Sequence, residues 1–283
     1  MKKNKVLLSG FVALLVIVLA FFCIHSLKQN DEPQKEASVS GKTATVFFHG
    51  YGSSRNAEKS MAQYLVDHGY SNRRINVTVS KDGKVSMGRA ISKNDKNPLV
   101  LVQFDDNTNT NFNESVKWTT EIMEQLKKEG VDSVNLVGHS MGNQEIAYYL
   151  MKSDSVKQPL PIVKKQIAIA APFNGVIVVG PESGSTLKSN GEPSQPTILY
   201  QRILPLRDFY KRHKVAVLNI FGNSQGNPAG DTTVYNKSSK SLKYLVQSPS
   251  SYKEKLITGA LGQHSKLHEN SEVDAAMLDF LEQ

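Results

Sequence analysis

The sequence predicts an α/β protein with a mostly parallel central sheet and helices on both of its faces. Three observations lead there. Short runs of β-branched and aromatic residues alternate with amphipathic helical stretches along most of the 283 residues, the pattern of strand–helix–strand units. One such run ends in Gly138-His139-Ser140-Met141-Gly142 and passes at once into a helical pattern. The polar residues suited to chemistry lie at or beyond the carboxyl ends of the runs, where sheets of this kind place functional groups.

The chain opens on Met1-Lys2-Lys3-Asn4-Lys5, a cationic stub expected in the cytoplasm. Residues 6–24 then carry no charge, close to the roughly 20 residues that cross a bilayer as a helix. The lysines before this run orient its start toward the cytoplasm. Phe21, Phe22 and Ile24 crowd the end of the run, where signal-peptide cleavage needs small residues. The segment is therefore expected to stay as an uncleaved anchor, with a cleaved signal peptide as its rival. The same phenylalanines argue against a lipoprotein site at Cys23. A core helix is a third reading, disfavoured by the polar flanks. Residues 25–42 are polar and read as a flexible linker, leaving a globular domain over 43–283. The body is exported in the first two readings: at the cell membrane, single-pass and extracellular, or secreted if the segment is cleaved.

Within that domain, Thr43 to Phe48 predicts a strand. It ends in the glycine-rich loop His49-Gly50-Tyr51-Gly52. A helix over 56–68 follows, with Met61, Tyr64 and Leu65 as its apolar stripe and Gly69 at its end. Ile75 to Val79 alternates apolar and polar residues, and Lys81-Asp82-Gly83-Lys84 is a turn signal before Val85 to Met87, so a hairpin or short meander is expected. Pro98 to Phe104 predicts a strand, and Ser115 to Lys128 an amphipathic helix closed by Gly130. Val134 to Val137 reads as a buried strand, with Ile146, Tyr149 and Leu150 on one face of the helix after it. Val163 to Ala171 is another strand. Residues 176–197 are rich in Gly, Ser and Pro, hold the apolar patch Val176 to Val179, and read as a small lid-like insertion. Leu199 to Lys211 is a helix broken by Pro205. Val215 to Phe221 is a late strand, and Glu272 to Leu281 is the last helix, with Val273, Met277, Leu278 and Leu281 facing in.

Composition sets further bounds. Hydrophobic residues make up 39% of the chain, enough for one good core, and the length fits one α/β domain or two small ones. The 34 basic and 26 acidic residues give a formal charge of +8, which suits anionic surroundings such as phospholipid heads or cell-wall polymers as well as plain solubility. No basic run is interleaved with aromatics, so nucleic acid is not an expected partner. Cys23 is the single cysteine, so no disulfide framework can form.

Gly-x-Ser-x-Gly between a strand and a helix is the context of a nucleophile elbow. The glycines let a strained turn fit between crowded backbones, and the helix start behind it offers amides to an anion. A serine nucleophile needs a base to take its proton and an acid to orient that base. The expected chain order is Ser, then Asp or Glu, then His. After Ser140, the acid that follows a late strand is Asp231; Asp208, Asp274 and Asp279 sit in poorer places. The loop before the last helix, Gly262 to Asn270, offers His264 and His268. His264 lies early enough to reach across to Ser140 and is preferred, with His268 as the alternative. His49 and His139 read as structural, and His25, His68 and His213 are poorly placed. The oxyanion hole should use the backbone amides of Met141 and, from the loop after the first strand, Tyr51. His264 and His268 have a spacing that two metal ligands could share, but no third ligand is evident, and Asp105-Asp106-Asn107 lacks the turn glycine and terminal glutamate of a calcium loop. No metal and no cofactor is expected.

Together these residues resemble the α/β-hydrolase superfamily over about Thr43 to Gln283. Within it, Phe48-His49-Gly50-Tyr51-Gly52 and His264-Ser265-Lys266-Leu267-His268-Glu269-Asn270 look like an uncharacterised family of cell-surface hydrolases from Gram-positive bacteria. The late motif is also similar to that of small bacterial lipases, which favours His264 over His268. The resemblance implies an α/β-hydrolase fold and a serine-hydrolase mechanism with Ser140, Asp231 and His264. It does not supply a substrate. Asn143 stands where many relatives have a second glycine that helps the helix and strand to pack. The expected function is a carboxylesterase or lipase-like enzyme acting on a small-molecule or lipid ester, the apolar patch at 176–179 pointing to an acyl group. The alternatives are a non-catalytic cell-surface binding module, and an amide or peptide hydrolase or acyltransferase using the same three residues.

Overall fold

The structure, a computed structural model, describes residues 41–178, 185–224 and 229–283. The expected stub, the apolar run at 6–24 and nearly all of the linker fall outside these residues, as does the 179–184 part of the insertion. Among the described residues no helix is long and apolar enough to cross a membrane.

Eight strands form one sheet: β1 (Lys42–Phe48), β2 (Arg74–Val79), β3 (Val85–Met87), β4 (Leu99–Phe104), β5 (Val131–His139), β6 (Ile162–Ile169), β7 (Ala216–Asn223) and β8 (Ser251–Thr258). Their order across the sheet is β3-β2-β4-β1-β5-β6-β7-β8. Every pairing is parallel except the β2–β3 hairpin. Successive side chains on a strand point to opposite faces, and the core divides accordingly. Ala44, Val46, Phe48, Val100, Val102 and Leu136 enter one cluster. Phe47, Leu99, Leu101, Val137, Ile167 and Ile220 enter the other. Both faces are buried, which explains why the central strands read as near-continuous apolar runs rather than as alternation.

Helices α1 (Lys59–Asp67) and α8 (Ser271–Glu282) cover the second face through Met61, Leu65, Val273 and Met277. Helices α2 (Phe112–Lys128) and α3 (Gly142–Ser153) cover the first, through Trp118, Ile122, Ile146 and Tyr149. The same face carries α4 (Ile198–Ile203) and α5 (Leu206–Arg212), which are the expected broken helix: Pro205 stands between them as the N-cap of the second. Proline cannot donate to the preceding turn, so the break falls there. Two short helices, α6 (Asn236–Lys240) and α7 (Leu242–Leu245), follow β7.

Some boundaries move. Lys42, expected in the linker, is the first residue of β1, and Pro98, expected in a strand, lies just before β4. The helix expected over 56–68 begins only at Lys59, after a turn. Strand β8 has no counterpart among the expected elements. Its Ser-Tyr-Lys-Glu-Lys-Leu-Ile-Thr sequence is charged because it is an edge strand, with Ile257 alone buried. The described part of the 176–197 insertion is tied down at several points: Ile177 N–H donates to the Thr233 carbonyl at 2.8 Å, and the Asn174 side chain bonds Gln195 O and Thr197 N.

β1 is central, flanked by β4 and β5, so the chain's winding switches sides there. From there the chain passes to α1 on one face after β1 and to α3 on the other after β5, the kind of switch point at which such sheets place ligands.

Candidate active site

Ser140 follows β5 with φ +50°, in the left-handed region that non-glycine residues avoid. Neighbouring groups hold it there. Its N–H donates to Ile169 O at the end of β6, 2.9 Å away. A side chain at Gly142 would overlap the Phe48 carbonyl, and one at Gly50 would press on the Ser140 Cβ at 3.1 Å. Both glycines are therefore a condition of packing the turn between the ends of β1 and β5.

The groups expected to act with Ser140 come from the neighbouring strand ends. Asp231 lies in the loop after β7, 1% exposed. Its Oδ1 accepts from Thr233 N at 2.9 Å and from Val234 N at 2.7 Å. Its Oδ2 lies 2.8 Å from His264 Nδ1, and the two residues are also joined by His264 N–H donating to Asp231 O at 2.7 Å. Facing a carboxylate, Nδ1 carries the proton. That leaves Nε2 to accept from the Ser140 hydroxyl, 2.9 Å away. Ser140, His264 and Asp231 are thus brought together in one relay. The adjacent Thr232 has φ +84°, a real strain for a β-branched residue, held by the hydrogen bonds around Asp231.

His268 does not share this place. Its ring meets His139 edge-on, with centroids 4.8 Å apart, and Ser140 is not among its partners. Burial lowers its pKa. His139 and His49 are buried braces. His139 Nε2–H donates to the His264 carbonyl at 3.1 Å. His49 Nδ1–H donates to Gly50 O at 2.9 Å, and its Nε2 accepts from Phe104 N at 3.1 Å. Burial, with the neighbouring imidazoles and Arg55 adding to it, pushes both pKa values down, so both rings are neutral.

Met141 N–H and Tyr51 N–H donate to no backbone carbonyl among the described residues, whereas Gly52 N is taken by Asn107 O at 2.8 Å and Ser53 N by Gly50 O at 3.2 Å. Asn107, from the stretch that tempted a calcium reading, instead braces this loop, its Nδ2 also donating to Ser53 O at 2.8 Å. Among the described residues no group of three or more His, Cys, Asp or Glu is placed to hold a metal ion.

Asn143 stands where the resemblance expects a glycine that helps the helix and strand to pack. The structure places it fully buried, with its amide against three backbone carbonyls. An Asn three places past the serine carries no linear signal for such contacts, because two of the three carbonyls belong to other elements.

A family model described as an alpha/beta hydrolase of unknown function matches residues 32–283. Among solved structures, a gene product of Listeria innocua superposes with a TM-score of 0.72 at 24% identity, covering 86% of this chain and 95% of that one. A Lactobacillus plantarum protein described as a "putative cell surface hydrolase" superposes with a TM-score of 0.62 at 20% identity, covering 87% and 92%. A bromoperoxidase from Bacillus anthracis reaches 0.50 at 17% identity, covering 86% and 93%. These likenesses carry the fold.

Proposed function

Because the chain belongs to this family of α/β hydrolases of unknown function, we propose that it is a serine hydrolase in which Ser140 is the nucleophile, His264 the general base and Asp231 the residue that orients it. The observation that carries the reading is the unbroken relay from Ser140 Oγ through His264, at 2.9 Å and 2.8 Å, onto a buried carboxylate. In that arrangement Ser140 Oγ attacks a carbonyl carbon while His264 Nε2 takes the hydroxyl proton. The imidazolium that forms is stabilised by Asp231, whose charge is already spread over two backbone N–H groups. The tetrahedral oxyanion is received by the amides of Met141 and Tyr51, each such donor supplying roughly 3 kcal/mol. His264 then returns the proton to the leaving group, and water repeats the cycle on the acyl-enzyme.

The substrate class we infer is a carboxylic ester with an apolar acyl group. Three exposed apolar side chains stand on segments that carry or touch the proposed site groups: Tyr51 at 60% exposure in the oxyanion loop, Leu261 at 55% three residues before His264, and Val178 at 88% next to Ile177, whose N–H reaches Thr233 O. Large apolar groups left in water at a site rim favour an apolar partner. We place the enzyme at the cell surface, a reading supported by the uncharged run at 6–24 behind Lys2, Lys3 and Lys5.

Labelling with a fluorophosphonate probe tests the mechanism. The expected result is one labelled serine, lost in Ser140→Ala; labelling that persists in that variant would overturn it. A panel of p-nitrophenyl esters set against peptide amides tests the substrate class, with turnover of amides over esters as the adverse result.

A further inference from the structure

We propose that Asn143 is a positioning residue for Ser140, its side-chain amide being the clamp that holds the strained turn in its attacking geometry. The inference rests on the serine-hydrolase reading and concerns a residue that meets Ser140 only at its backbone carbonyl and has no contact with the reacting hydroxyl among its hydrogen bonds.

Asn143 Nδ2 lies 2.9 Å from Gly138 O, 3.1 Å from Ser140 O and 3.1 Å from Ile169 O. All three neighbours are acceptors only, so the orientation of the amide is fixed by chemistry: nitrogen must face them. The three carbonyls are the ones that define the turn. Gly138 O belongs to the penultimate residue of β5, Ser140 O to the strained residue itself, and Ile169 O is the acceptor of the Ser140 N–H. The Asn143 backbone N–H also donates to Ser140 O, at 3.1 Å. One residue therefore grips Ser140 through its carbonyl twice, and grips the group that holds Ser140 through its amide.

Gly138 makes room for this. A Cβ there would lie 2.9 Å from both Asn143 N and Asn143 Oδ1. The first glycine of the motif is thus matched to the asparagine beyond its second. Without the amide, the Ser140 and Ile169 carbonyls would each keep one backbone donor, from Asn143 N and Ser140 N, and lose the second that draws them together with Gly138 O. A left-handed φ at a serine persists only where its surroundings over-determine it. Without the clamp, the Ser140 hydroxyl and the Met141 amide would both drift from the line set by His264 Nε2. Because attack geometry is steep, a shift near 1 Å costs about 100-fold in rate.

The experiment compares wild type, Ser140→Ala, Asn143→Gly and Asn143→Ser. Circular dichroism and melting temperature are measured for each, and all rates are taken well below the lowest melting point. Fluorophosphonate labelling rates and p-nitrophenyl acetate turnover are the readouts. Asn143→Gly, which keeps the helix backbone but removes the amide, should label and turn over about 100-fold more slowly with KM unchanged. Asn143→Ser, which keeps one donor, should fall between it and wild type. A residue that only stabilised the fold would lower the melting point and leave these rates alone. Folded Asn143→Gly reacting at the wild-type rate overturns the clamp and leaves the nucleophile assignment standing. If Asn143→Gly does not fold, Asn143→Ser decides: a slowed rate supports the clamp and a wild-type rate overturns it. Wild type that fails to label at Ser140 overturns both.

Discussion

His139 Nε2 donates to the backbone carbonyl of His264 across 3.1 Å, so the residue just before the proposed nucleophile holds the turn that carries the proposed base. The two are 125 positions apart in sequence. The contact couples β5 to the loop before α8, and it keeps the His264 ring over Ser140 from the backbone side while Asp231 fixes it from the ring side. His139→Ala should leave its helix and strand in place but loosen that loop. A fall in kcat of about tenfold with KM unchanged is expected, in line with the steep dependence of rate on placement. Steady-state kinetics on p-nitrophenyl acetate checks it, and an unchanged kcat would reduce His139 to packing.

The two late histidines separate cleanly by mutation. His264→Ala removes the proposed base and should cost at least about 1,000-fold in kcat, as removal of a relay member does elsewhere. His268→Ala removes an edge contact with His139 and should stay within a few-fold of wild type. Asp231→Asn leaves an acceptor for Thr233 and Val234 but presents an amide to His264, selecting the wrong tautomer, and should cost up to about 10,000-fold. Fluorophosphonate labelling and ester turnover read all three.

Much of the fold is written along the chain. The apolar runs of β1, β4, β5, β6 and β7, the hairpin turn at Asp82-Gly83, and the break at Pro205 are local patterns, and local patterns are what periodicity and turn chemistry report. That Ser140, Asp231 and His264 come together is legible too, because each follows an apolar run or precedes the last helix in a fixed order. What is not legible depends on through-space neighbours. β8 is hidden because an edge strand carries lysines and glutamate like a loop. The clamps of Asn143 and the brace of His139 are hidden because their acceptors lie on β5, β6 and the loop before α8. The match of Gly138 to Asn143 is visible only once a Cβ is placed between strand and helix.

Gly222 makes a further through-space demand. At the end of β7, a Cβ on this residue would collide with the Gly262 carbonyl, two residues before His264. Overpacking of this kind costs typically 1–3 kcal/mol, about what a core methyl insertion costs. Gly222→Ala should therefore lower the melting temperature by several degrees and, because the turn at 262–264 must shift, reduce kcat more than the stability loss alone explains. Thermal melts paired with kinetics well below the melting point would show it; a variant that melts early yet keeps full turnover at low temperature would sever Gly222 from the base.

The last expectation concerns pH. Glu145, five residues past Ser140 on α3, is 3% exposed, and its Oε2 has no partner among the described residues. Burial raises its pKa to about 8, with a hydrogen bond to Ser115 pulling weakly the other way. Glu58, before α1, is 1% exposed, and among the described residues its carboxylate oxygens meet no other residue's donor; burial likewise raises its pKa to about 8, against a hydrogen bond from its own backbone. The folded chain thus binds these protons more tightly than the unfolded chain, whose glutamates titrate near 4.5. Below that pH both states are protonated and the full stability is present. Between about 4.5 and 8 the unfolded state releases protons that the folded state keeps, so stability falls as pH rises, and the loss levels off above the folded pKa. Each group accounts for a few kcal/mol over the window, at about 1.4 kcal/mol per unit. Glu145→Gln and Glu58→Gln keep the shape and remove the titration. The melting temperature of each, relative to wild type, should climb steadily from pH 5 to pH 8 and then hold constant. A difference that does not vary with pH would mean that the two carboxyls are already ionised in the folded protein.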